Sequence, residues 1–99
     1  MVKNGILPIH PGKILREEYM APLGLSSNGL AAALHITAAR VNDIVRERRG
    51  VTADTALRLA AYFGGDAQSW MNLQSRFELR LAEIAAGEAI RESVQRKAA

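Results

Sequence analysis

The chain predicts an all-α fold of five helices with the last one extended, and three observations carry that reading. Apolar residues recur at spacings of three and four along the chain, and no stretch alternates apolar with polar as a half-buried strand would. The apolar runs are fenced by helix punctuation, with Pro, Ser, Thr or Asp before them and Gly or Pro after them. With 99 residues, 48% of them hydrophobic, there is material for one modest core and not for two. Residues 1–99 therefore read as a single domain, with a core spanning about 11–84 and a helical tail over 85–99.

The elements follow in order. Pro11 suits the first position of a helix running through Ile14, Leu15, Tyr19 and Met20, which Pro22 and Gly24 end; Leu23 and Leu25 are expected to tuck in as the chain turns. A short second helix starts at Ser26/Ser27 and sets Leu30, Ala31 and Leu34 on one side. His35-Ile36-Thr37 interrupts it. Thr37 is a good N-cap for a third helix from Ala38, in which Val41 and Ile44 point one way with Val45 at the margin. At about 100° per residue, Ala38, Ala39, Asn42, Asp43 and Arg46 gather on the opposite side. Gly50 breaks the arginine-rich segment. Thr52 and Asp54 then open a fourth helix, whose apolar side is Ala56, Leu57, Leu59, Ala60 and Phe63 and whose end is Gly64-Gly65. Asp66 caps a fifth, in which Trp70, Leu73, Phe77, Leu81 and Ile84 recur every three or four residues. Its continuation from Glu78 is alternately charged and alanine-rich, with a bend or fraying expected near Gly87.

Residues 26–46 thus have the layout of a helix-turn-helix, a motif that places its second helix in a DNA groove. The outward face of that helix is thin, polar and small. Taken alone it is also compatible with an ordinary solvent face. Arg40, Arg46, Arg48 and Arg49 weigh against the plainer reading, because only Asp43 and Glu47 oppose them and phosphate backbones reward clustered cations through counterion release. A formal charge of +3 permits nucleic acid as a partner without requiring it.

Other classes fare poorly. No cysteine is present, so neither a disulfide framework nor a thiolate metal site is available and a reducing cytoplasm is the expected home. No apolar run is long enough to span a bilayer, and the first residues lack a signal-peptide core, so no membrane partner is expected. His10, before Pro11, reads as a cap or packing residue rather than a base. His35 has no carboxylate or serine partner at an evident spacing. No metal-ligand spacing, glycine-rich phosphate loop or nucleophile elbow occurs, so no enzyme, no cofactor and no small-molecule substrate is expected.

Several separated blocks, H-P-G-K-I-L-R-E-E-Y at 10–19, L-G-L-S at 23–26, L-A-A-A-L at 30–34, R-R-G-V-T-A-D-T-A-L-R-L-A at 48–60 and W-M-N-L-Q at 70–74, are colinear with the HigA-type antitoxins, which the chain resembles over residues 6–83. These belong to the Cro- and phage-repressor-like helix-turn-helix proteins. The resemblance implies a lambda-repressor-like DNA-binding domain that pairs as a homodimer, binds double-stranded operator DNA, neutralises a cognate mRNA-cleaving toxin by direct contact and represses its own operon. Carried over residue by residue, it puts Ser27 and Asn28 at a phosphate, Thr37 and Arg40 beside the groove and on phosphates, and Ala38, Ala39, Asn42 and Asp43 at base edges. Arg46, Arg48 and Arg49 would grip the backbone where the chain leaves the groove. Neither alanine can make a bidentate bond to a base, so direct readout falls to Asn42, which suits adenine, with help from Asp43 toward cytosine or Arg46 toward guanine.

The chain departs from the family pattern at three places. His35 and Glu47 stand where glycine is common, and Ser27 replaces a more usual glutamine. Phe77, Leu81 and Ile84 lie beyond what a small core can absorb and are the candidates for a dimer contact. Two alternatives stay open: a helix-turn-helix repressor without a toxin, and a protein-binding helical adaptor that has lost DNA binding.

Overall fold

Five helices follow one another in a computed structural model that describes residues 7–98. Helix α1 covers residues 11–23, as Pro11–Ile14, a π-helical stretch Leu15–Met20 and Ala21–Leu23. Helix α2 is Ser27–Leu34, α3 is Ala38–Val45 and α4 is Ala53–Phe63. Helix α5 covers residues 67–93 and is continuous through Ala67–Ala82, a π-helical turn Glu83–Gly87 and Glu88–Ser93. The chain does not fray at Gly87. It widens there into the π turn, and Gly87 is buried with the Glu83 carboxylate over it. The expectation that the first residues lack a signal-peptide core falls mostly on residues 1–6, outside those described.

Every start is capped by a side-chain acceptor, Ser, Thr or Asp at four of them and His10 at the first. His10 Nδ1 accepts the Gly12 N–H at 2.8 Å, Ser26 Oγ the Gly29 N–H at 3.0 Å, Thr37 Oγ1 the Arg40 N–H at 3.1 Å and Asp66 Oδ1 the Ser69 N–H at 2.7 Å. Each pairs one of the amides that a helix leaves without an internal partner, worth about 1 kcal/mol.

The core draws on all five helices: Leu15 and Met20 of α1, Leu30, Ala31 and Leu34 of α2, Val41, Ile44 and Val45 of α3, Ala56 and Leu59 of α4 and Trp70 of α5, with Val51 from the loop. Gln74 is buried among them. Its Oε1 accepts the Val51 N–H at 2.7 Å, which anchors the arginine-rich loop to α5. Gly50 lets that happen, since a Cβ there would lie 2.6 Å from the Gln74 amide nitrogen.

Three expectations about sidedness need correction. Leu23 and Leu57 are each 64% exposed, whereas Leu25 packs against the core. Leu57 is turned about 100° from the buried Ala56 and about 160° from the buried Leu59 around α4. Ala38, expected to face outward, is half-buried and leans on the core. Among the described residues no helix is long and apolar enough to cross a membrane.

Candidate nucleic-acid interface

The turn between α2 and α3 and the exit from α3 are built in the same way. At the end of α2 the His35 N–H donates to the Ala32 carbonyl and the Ile36 N–H to the Ala31 carbonyl, with His35 left-handed at φ 59°. At the end of α3 the Glu47 N–H donates to the Ile44 carbonyl and the Arg48 N–H to the Asp43 carbonyl, with Glu47 left-handed at φ 63°. Both are the hydrogen-bonded reversal that glycine usually occupies. A side chain there costs about 1 kcal/mol, yet the turn keeps its shape because its carbonyls find extra donors. Arg58 of α4 donates to the Leu34 carbonyl at 2.9 Å and the His35 carbonyl at 3.4 Å, and Arg16 of α1 donates to the Val45 carbonyl. Arg16 also faces the Glu47 carboxylate at 3.6 Å, supplying the arginine that an acidic side chain needs at that place.

Helix α3 is therefore bolted from behind. Gly12 of α1 meets the Ile44 backbone so closely that a Cβ would collide with the Ile44 carbonyl. Val41, Ile44 and Val45 are buried, so the other side of the helix faces out. On that side Ala39 and Arg46 are exposed, and Asn42 and Asp43 are half-exposed. Thr37 is exposed at the helix start. Of the pair that opens α2, Asn28 is exposed and Ser27 half-buried.

The arginines differ in their engagements. Arg40 reaches back to α4, with its guanidinium 2.9 Å from the Asp54 carboxylate and 3.1 Å from Thr55 Oγ1. Arg48 and Arg49 lie over Asp43 at 3.0 and 3.9 Å. Arg46 makes no side-chain hydrogen bond or ion pair among the described residues. The structure thus brings Asp43, Arg48 and Arg49 into one cluster and directs Arg40 to a carboxylate rather than to open solvent. Asp54 sits between Arg40 and Arg58, and their hydrogen bonds and charges hold its carboxyl below the usual carboxylate range.

Sequence reasoning missed Arg16, Asp54 and Arg58 as supports of the site. Arg16 and Arg58 act 29 and 24 residues away along the chain, so no local pattern announces them. Of the residues assigned to a dimer contact, Phe77 is half-buried and places its ring edge-on to His10 with centroids 4.7 Å apart. That gives Phe77 an internal role. Leu81 and Ile84 are 44% and 60% exposed.

Comparison with known proteins agrees with this architecture. Residues 15–70 match the helix-turn-helix family model HTH_3. The chain is 63% identical over 81 residues to virulence-associated protein I of Dichelobacter nodosus, covering 82% of this chain and 75% of that protein. A solved structure of the Pseudomonas aeruginosa antitoxin HigA with the higBA promoter has TM-score 0.87 and 50% identity, covering 89% of this chain and 96% of that one. A structure of the antitoxin GraA in complex with its operator has TM-score 0.90 and 49% identity over the full length of both chains.

Proposed function

Because the chain belongs to the helix-turn-helix family, among its HigA-type antitoxin members, we propose that it binds duplex operator DNA as a homodimer, represses its own operon and neutralises a cognate mRNA-cleaving toxin by direct contact. The observation that carries the DNA-binding part is α3 itself, seated on α1, with Arg58 of α4 holding the turn before it and a small polar face turned outward. In this reading α3 enters the major groove. Ala39 contacts a thymine methyl, Asn42 reads adenine and Arg46, the uncommitted cation, meets a phosphate or guanine. Ser27, Asn28 and Thr37 hold phosphates at the groove edge, Arg48 and Arg49 hold them where the chain leaves, and Ala38 lines the base of the contact. Arg40 acts from behind through Asp54 or exchanges that partner for a phosphate. A homodimer would set two such helices about one helical turn apart on a palindrome.

A second reading, a protein-binding adaptor, draws on the fact that three of the four arginines already have carboxylate partners. Binding of the purified protein to the promoter of its own operon separates the two. Repression predicts saturable binding that the paired substitution Arg46→Ala and Arg48→Ala abolishes, while the fold and toxin binding persist. The adaptor predicts no promoter binding. Co-expression with the neighbouring open reading frame, followed by co-purification, tests the toxin partner.

A further inference from the structure

The exit of α3 does more than place cations near a groove. The left-handed Glu47 reverses the chain so that the Arg48 and Arg49 amides both donate to the Asp43 carbonyl, at 2.8 and 3.2 Å. That reversal swings both guanidiniums over the Asp43 carboxylate, 3.0 and 3.9 Å away. Asp43 itself lies on the outward side of α3, one-third exposed. A carboxylate between two arginines offers them the negative charge and oxygen acceptors that a phosphate would. The protein carries a stand-in for its ligand.

We infer that Asp43 gates the phosphate grip: it holds Arg48 and Arg49 until a base with an exposed amino group in the major groove offers it a hydrogen bond, and only then releases both arginines to the DNA backbone. The inference rests on the operator-binding reading and adds to it a link between base identity and backbone contact. Cytosine N4 and adenine N6 are the amino donors of the major groove, and a carboxylate accepts from either. Every base pair presents one of these donors, so the gate reads which strand carries it: where guanine or thymine faces Asp43 only acceptors are offered, and Asp43 keeps its arginines, because parting from them would leave an unpaired carboxylate against a polyanion. The ion pairs themselves are exposed and individually weak, so the exchange is easy once a donor is present. The gate therefore acts on specificity rather than on stability.

The consequence is measurable as a salt dependence. Each phosphate neutralised contributes about 0.9 to the slope of log affinity against log salt. Two arginines per protomer, four per homodimer, released only where the donor faces Asp43 make the slope on operator steeper by about 3.6 than on the same duplex with the facing base pair reversed in both half-sites. Between roughly 50 and 200 mM salt, affinity for operator then falls about 150-fold further than affinity for the reversed duplex. Asp43→Asn removes the stand-in charge at nearly constant shape. It should steepen the slope on the reversed duplex to the operator's value and narrow the operator-to-reversed affinity ratio about tenfold, with the thermal midpoint unchanged. The paired substitution Arg48→Ala and Arg49→Ala should close the gap from the other side, by flattening the operator slope.

Fluorescence anisotropy reads all of these, using a duplex enriched by the protein from a randomised pool and variants of it in which each base pair is reversed in turn in both half-sites. Equal wild-type slopes on the enriched duplex and on every reversed variant, or Asp43→Asn slopes on those variants that match wild type, overturn the gate alone. Failure of the wild-type protein to bind the enriched duplex overturns the operator reading and the gate with it.

Discussion

Gly12→Ala sets helix propensity against tertiary geometry. Gly12 is in the first turn of α1, where alanine is favoured over glycine by about 1 kcal/mol on propensity alone. The geometry predicts the opposite sign. A Cβ would fall on the Ile44 carbonyl oxygen, 2.8 Å from its carbon and 3.0 Å from His10 Nδ1, against the 3.4 Å at which ordinary contact begins. Two of these neighbours are backbone, so no side chain can rotate clear. Either α1 lifts away from α3, opening the contacts of Leu15 and Ile44, each only 1% exposed, or the His10 cap is lost. Overpacking of this kind costs typically 1–3 kcal/mol, and a broken cap about 1 more, which gives a net loss of about 1–3 kcal/mol after the propensity gain. For a domain of this size that is a fall of roughly 4–24 °C in melting temperature. Thermal unfolding followed by circular dichroism reads it directly. A variant that melts at or above wild type would refute the claim that α3 is seated backbone to backbone on α1.

Further outcomes follow from the same contacts. Burial lowers the His10 pKa below the ordinary histidine value, with Glu47 opposing, so in acid the unfolded chain takes up a proton more readily than the native one. Stability should hold above about pH 6.5 and fall as pH drops through the folded pKa, and His10→Asn, which keeps a cap acceptor, should show a shallower fall in urea titrations across that window. Gln74→Leu strands the buried Val51 amide and should destabilise by about 1–3 kcal/mol, read as a lower urea midpoint at unchanged m. Thr37→Ala removes the cap of α3 at a cost of about 1 kcal/mol, seen as a melting point lower by about 4–8 °C. If the exposed Leu81 and Ile84 form the homodimer contact, changing both to Asp should yield monomers in sedimentation, while an unaltered sedimentation coefficient would place that contact elsewhere.

What the sequence made legible was whatever is decided within a turn or two of chain. Ser26, Thr37, Thr52 and Asp66 cap the helices they were expected to cap, because a hydroxyl or carboxylate three residues before an amide acts locally. The two left-handed residues show the limit of that reach. That His35 and Glu47 stand at glycine-like positions was visible, but the arginines that secure those turns come from α1 and α4. Leu23 and Leu57 misled for a related reason: periodicity marks a stripe, and only the packing of other helices decides how wide it is. At the interface the cluster of arginines was plain from composition. Its internal neutralisation by Asp43 and Asp54 was not, since the first depends on a chain reversal and the second on a contact across 14 residues.

The length of α5 leaves a mark on how the molecule travels. With extents of 52 by 29 by 22 Å and a radius of gyration of 16.5 Å, where a rounded chain of this size has about 13 Å, the protein drags more solvent than its mass suggests. A single copy should elute early from a sizing column, at a volume suited to a heavier sphere. Early elution is thus a property of the rod-like arm, and the frictional ratio, not the elution volume, separates one copy from two.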